Sequence, residues 1–305
     1  MQGHADLYEM FLSKGKQLYL MQLGLGTAQF GLDYGISNTK GKVTQSEIKK
    51  IFHYCRNNAI RLIDTAQIYG DAEINIANQL DESYRIITKF SLDSIQKSGS
   101  IKDCLKLSFD RLSDSPIDTF MVHSFNLSQG NKLKQFYWQL EQLKHQGQIN
   151  KIGISLYNSN EITHVLQNYR FDVMQIPINI FDQKLEQSGM LKKIKSFGIE
   201  IHARSAYLQG LCFIHPEKLP PLLKAAQTQL NEFRTQAQQL SISLQELALS
   251  YLLQIDEITA IILGCTSIKE LQENHAIIKK NRGLNLNYRR FNIHNETVTN
   301  PMNWS

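Results

Sequence analysis

Short apolar runs alternate with amphipathic segments along most of the chain. The runs fall at 18–26, 61–66, 85–90, 117–124, 151–158, 171–179, 199–206 and 259–265. Several are nearly continuous rather than alternating, as expected of strands covered on both faces. Between them, apolar residues recur three and four apart. "TQSEIKKIFHYCRNN" opens with Thr44 and Glu47, a capping-box pattern, and carries Ile48, Ile51, Phe52 and Cys55 on one face. "GSIKDCLKLSFDRL", "NKLKQFYWQLEQLKHQG" and "SNEITHVLQNY" have the same helical stripe, and "MLKKIKSFG" stops on glycine. Residues 222–254 leave room for two helices, and "SIKELQENHAIIKK" predicts a last one.

Strands alternating strictly with helices imply a parallel sheet. Eight such units in roughly 250 residues suit a (β/α)8 barrel, one domain spanning 1–305. A doubly wound open sheet is the competing fold. Its G-x-G-x-x-G turn is missing, because "GLGTAQFG" spaces its glycines differently. The polar, weakly patterned stretch from about 281 is expected to run as a loop over the barrel.

Composition narrows the classes further. Of 305 residues, 42% are hydrophobic and 20% charged, and the net charge of +5 is spread along the chain. Neither a nucleic-acid patch nor a membrane anchor is visible in that distribution. Cys55, Cys104, Cys212 and Cys265 are scattered, without zinc-like spacing, and read as buried thiols in a reducing compartment. The start of the chain lacks the basic-then-apolar order of a signal peptide. No apolar stretch approaches the ~20 residues of a membrane span. These features predict a cytoplasmic protein with no metal site.

The stretch "RLIDTAQIYG" ends an apolar run on Asp64, and a lone buried carboxylate costs several kcal/mol, of order 3–5, unless it is paired. Barrel chemistry sits at the C-terminal ends of strands. Asp64, Lys89 and His123 lie at or near those ends on three successive strands, with Tyr69 in the loop between the first two. Neighbouring strands are only ~5 Å apart, so Lys89 is the natural partner of Asp64. A tyrosine near a lysine is a plausible proton donor, because the ammonium favours the phenolate.

"RLIDTAQIYGDAEINIANQL" resembles the I-D-T-A-x-x-Y-G-x-x-E signature of the aldo-keto reductases, and "RIITKF", "DTFMVHS", "KIGISLYN", "MQIPIN" and "IILGCTSIKELQEN" extend the likeness over about 18–274. The resemblance implies an NAD(P)H-dependent reductase of aldehydes or ketones. It makes Asp64, Tyr69, Lys89 and His123 the catalytic tetrad, with His123 also orienting the substrate carbonyl. It assigns cofactor contacts to Thr27, Asp64, Ser155, Gln175, Arg204, Ser205, Gly264, Thr266 and Asn274. The first turn of the last helix, with its free N–H groups, would hold a phosphate.

Three positions depart from the family pattern. Leu156 follows Ser155 where the family has asparagine, and Asn158 is a candidate replacement. Arg204 stands where a tyrosine usually stacks on the nicotinamide, and its guanidinium would either stack there or bind an anion. Glu270 replaces the arginine that many NADPH-using relatives carry, so NADPH is expected from the family while NADH stays open. "LGLGTAQFGLDYGISNTKGKV" resembles a branch linked to sugar metabolism, implying a sugar or nucleotide-sugar carbonyl with Phe30, Asp33 and Tyr34 at the mouth; Asp33 equally suits a turn cap. A Schiff-base aldolase using Lys89 and a non-catalytic cofactor-binding subunit are the alternatives. The oligomeric state is open.

Overall fold

The computed structural model describes residues 21–280 and 283–304. The first 20 residues, including the opening of the run at 18–26, and the start of the tail at 281–282 lie outside them. Eight parallel strands close into a barrel in sequence order: β1 (Gln22–Gly26), β2 (Leu62–Asp64), β3 (Arg85–Phe90), β4 (Ile117–Val122), β5 (Lys151–Ser155), β6 (Val173–Pro177), β7 (Glu200–Arg204) and β8 (Ile258–Gly264). β1 pairs with β8 to complete the ring. The competing open sheet is excluded by that closure.

Six of the eight strands are shorter than the apolar runs, and most of the trimming is at their C-terminal ends. β2 stops at Asp64, β5 at Ser155 and β7 at Arg204. The chain leaves the sheet where polar side chains begin, because those side chains line the open end of the barrel.

Side chains two apart on a strand share a face. Leu62, Ile87, Met121, Val173, Ala260 and Ile262 form a separate apolar cluster inside the barrel. One step further along their strands stand Asp64, Lys89 and Gln175. The same two-residue step therefore carries the interior from an apolar floor to a polar layer. Gly24 and Gly153 complete the floor by absence: a Cβ on Gly153 would lie 2.7 Å from Met121 Cε, and one on Gly24 would run into Ile262.

The helices cover the outside. The Gln45–Asn57 helix begins as expected, with Thr44 accepting from the Glu47 N–H, and buries Ile48, Ile51, Phe52 and Cys55. Helices Gln227–Gln239 and Leu244–Leu253 occupy the region expected to hold two, and Ile268–Lys280 closes the series. Among the described residues no helix is long and apolar enough to cross a membrane.

The tail is more ordered than a loop. It forms short turns of helix at Tyr288–Phe291, Glu296–Thr299 and Pro301–Asn303. Phe291, Ile293 and Val298 are buried, and Ile293 N–H donates to Phe181 O at 2.8 Å. Its apolar residues are too few and too irregularly spaced to announce helices, but they suffice to fasten it to the barrel.

Phe30, expected at the substrate mouth, is a core residue. It lies in the four-residue helix Ala28–Gly31 and is wholly buried. The neighbouring glycine fixes the loop that carries Tyr69. A Cβ on Gly31 would overlap the Tyr69 carbonyl oxygen and stand 2.5 Å from Ala72 N, while Gly70 needs its φ of +58°. Gly31→Ala should therefore destabilise the fold by about 1–3 kcal/mol, the usual cost of overpacking. Urea unfolding checks this; a variant as stable as wild type would mean that the two loops do not touch.

Candidate active site

Asp64 and Lys89 meet inside the barrel. Lys89 Nζ donates to Asp64 Oδ2 at 2.6 Å and to the Thr65 carbonyl at 3.0 Å, and both side chains are almost completely removed from water. The second carboxylate oxygen accepts from Gln175 Nε2 at 2.7 Å. Both Asp64 oxygens are therefore engaged by the protein. Gln175, expected to contact the cofactor, directs one of its two amide N–H bonds to Asp64.

Tyr69 and His123 complete the group. The Lys89 ammonium stands 5.1 Å from the centroid of the Tyr69 ring. The Tyr69 and His123 rings meet edge to face, with centroids 5.9 Å apart. His123 follows β4 directly and its N–H donates to Phe90 O, which aligns it with the end of β3. The Tyr69 loop is tied down from outside by buried Glu73, which accepts from Thr88 Oγ1 at 2.6 Å and faces Arg111 at 3.4 Å. Asp64, Lys89, Tyr69 and His123 thus lie side by side at the C-terminal end of the barrel.

Electrostatics at the pocket follow burial and two cations. Burial pushes the Tyr69 phenol up, Asp64 adds to the rise, and Arg204 opposes both. Desolvation dominates, and Arg204 is the cation that opposes it. His123 is depressed to about 3 by burial and by the charges of Lys89 and Arg204, so the imidazole is neutral at ordinary pH. Burial also lowers Lys89 while Asp64 raises it. Tyr34 is pushed up to about 12, chiefly by burial.

The nicotinamide-side expectations are mixed. Ser155, last residue of β5 and paired in register with Gln175, is buried with no hydrogen-bond partner for its hydroxyl oxygen. An orphaned hydroxyl beside the pocket fits an amide ligand there. Thr27 does not: it is fully buried, and both its N–H and its hydroxyl donate to the Asp64 carbonyl at 3.0 Å. It braces the end of β2. Asn158 caps the Ser159–Asn168 helix, its amide oxygen accepting from the Asn160 and Glu161 N–H groups. Leu156 is core.

The last helix brings a larger correction. Its first turn was expected to offer free N–H groups. Instead Thr266 N–H donates to Glu270 Oε2 at 2.7 Å, and Ile268 N–H donates to Glu47 Oε1 at 2.8 Å. Glu270 N–H in turn donates to Ser267 Oγ at 3.3 Å. Glu47 reaches over from the Gln45–Asn57 helix, a contact no local pattern announces. Two carboxylates therefore hold N–H groups of the turn that was expected to meet a phosphate. Asn274 is buried, its amide oxygen accepting from Tyr207 Oη at 2.5 Å.

Around the mouth, Asp33 is exposed and accepts weakly from Asn38 at 3.5 Å, as a turn residue does. Tyr34 is partly buried at the pocket. The loop after β7 holds Ser205, Leu208 and Gln209 at positive φ and joins the β1 loop, with Ile36 N–H donating to Gln209 O at 3.0 Å. Tyr157, which sequence reasoning passed over, stacks against Arg204 at 4.3 Å, and that charge lowers its phenol. Its one sequence signal was an aromatic two residues after Ser155.

Comparison with known proteins agrees with this geometry. Residues 22–282 match the sequence model of the aldo/keto reductase family. The chain belongs to that family, and with it to the NAD(P)H-dependent oxidoreductases. It is 25% identical over 183 residues to the uncharacterized oxidoreductase YqkF of Bacillus subtilis (strain 168), covering 57% of this chain and 58% of that protein. The match thus spans less than two thirds of that relative's length. The NADH-specific methylglyoxal reductase of Escherichia coli (strain K12) is 23% identical over 75% of this chain and 81% of its own. An aldo-keto reductase from Bacillus halodurans has the same fold, with a TM-score of 0.64 at 18% identity over 88% of this chain and 95% of that one.

Proposed function

We propose that the protein reduces an aldehyde or ketone to the alcohol, with Tyr69 delivering the proton. The observation that carries this reading is the Lys89–Asp64 contact of 2.6 Å, inside a pocket that also holds Tyr69 and His123. When bound, the reduced nicotinamide supplies the hydride, and Ser155 at the end of β5 is the residue suited to hold its amide. The remaining work falls to this chain's own side chains.

Hydride addition makes a carbonyl oxygen negative, and that oxygen needs a proton. Tyr69 offers one from its hydroxyl. Lys89, kept charged by Asp64, and Arg204 surround it with positive potential that stabilises the phenolate left behind. Neutral His123 retains a ring N–H to donate to the same carbonyl oxygen, which orients the substrate and offsets developing charge.

The same contacts weigh against the alternatives. A Schiff-base lysine must lose its proton, whereas Lys89 donates to both Asp64 and Thr65. A pure binding module has no use for an assembled proton donor, and the named relative of established activity is a reductase.

For the cofactor, the family expectation of NADPH gives way to NADH. Recognition of a 2′-phosphate needs cations, and the start of the last helix instead presents Glu47 and Glu270. Lys269 is largely exposed, 3.9 Å from Glu273. Fluorescence titration should therefore show NADH binding at least about tenfold tighter than NADPH, a difference of ~1.4 kcal/mol. Tighter binding of NADPH would overturn this assignment without touching the chemistry.

The proton donor is tested separately. Tyr69→Phe should fold and bind NADH as wild type does, while turnover of its carbonyl substrate falls by on the order of 10²–10⁴-fold. A variant that retains turnover within a few-fold would remove Tyr69 from the mechanism.

A further inference from the structure

The residue least explained by the reaction is Arg204. It ends β7, level with Pro177 of β6 and so one two-residue step beyond Gln175 of the polar layer. Its guanidinium lies 4.3 Å over the Tyr157 ring, which accounts for one face. Its Nη1 reaches Ser205 Oγ at 3.4 Å, a long contact. Nε and Nη2 are buried and have no hydrogen-bond partner. Those two atoms form one edge of the planar group, the edge that receives a carboxylate or phosphate through two parallel N–H···O bonds.

The protein supplies no anion for that edge. Arg204 forms no ion pair among the described residues. Asp64 has given its oxygens to Lys89 and Gln175. Glu161, near Tyr157, accepts from the Tyr157 and Asn158 backbone N–H groups. Buried donors left without acceptors are costly, and at a site they mark a place for a ligand. The arginine is also held in place. It is flanked by Ser205 at φ +59°, and the turn through Leu208 and Gln209 is stitched to the β1 loop above the pocket.

We propose that the Nε–Nη2 edge of Arg204 binds an oxyanion carried by the substrate, so that the enzyme acts on carbonyl compounds bearing a carboxylate or phosphate. The inference rests on the reductase reading for its substrate but not for the anion site itself. Stacking on Tyr157 explains a cation's face, and an oxyanion, with two acceptor oxygens and a charge, fits the free edge. The same chemistry would also suit the dinucleotide's pyrophosphate, and the experiment separates the two.

Wild type, Arg204→Gln and Arg204→Lys are compared on succinic semialdehyde against butanal, and on para-carboxybenzaldehyde against benzaldehyde. Wild type should favour the anionic member by about 10- to 100-fold in kcat/KM, the share of a charged, paired hydrogen bond. In Arg204→Gln that preference should collapse to near unity, whatever happens to the absolute rates. Arg204→Lys, with the charge but without the fork, should fall between.

Calorimetric titration with succinate reads the site without turnover, and wild type should bind at least about tenfold tighter than Arg204→Gln. An anionic preference that survives Arg204→Gln would overturn the proposal. So would loss of NADH affinity with the preference unchanged, since the edge would then hold the cofactor. If no aldehyde is reduced but succinate still distinguishes the two proteins, the anion site stands and the reductase reading falls.

Discussion

An ammonium and a carboxylate 2.6 Å apart, both out of water, are the constraint around which this barrel's open end is arranged. Neither charge is tolerable alone at that depth. Lys89 needs Asp64, and Asp64 needs Lys89 together with Gln175 across the barrel. Thr27 holds the end of β2 by its carbonyl, and Thr65 gives Lys89 a second acceptor. What remains after this mutual satisfaction is a pocket with one surplus cation, Arg204, and no spare carboxylate. Burial, with Lys89 and Arg204, keeps His123 neutral, while Asp64 and Arg204 act in opposite directions on the buried Tyr69 phenol.

The period-two step of the strands explains why so much of the site was legible. An apolar floor and a polar layer lie two residues apart, so a polar residue closing an apolar run, as Asp64 or Lys89 does, identifies the catalytic end of the barrel. The pairing of Asp64 with Lys89 needed only the spacing of neighbouring strands.

What escaped the sequence depends on contacts between distant segments. Glu47 capping the last helix joins residues 221 positions apart. The commitment of Gln175 to Asp64 spans 111. Phe30 is buried within the single helical turn after β1, and Thr27, just before that turn, is taken up by the Asp64 carbonyl, neither of which periodicity over four residues can show. Tyr157 became visible only beside Arg204. The tail's short helices are likewise set by what they cover, not by a pattern of their own.

The double-mutant cycle of Asp64 and Lys89 tests the central constraint most directly. Unfolding free energies of Asp64→Asn, Lys89→Met and the double variant should show Lys89→Met losing about 3–5 kcal/mol, because it strands a buried carboxylate. The double variant should recover much of that loss, giving a coupling energy well outside the ~0.5 kcal/mol expected of independent sites. A Lys89→Met protein within about 1 kcal/mol of wild type, or a double variant equal to the sum of the singles, would contradict the account.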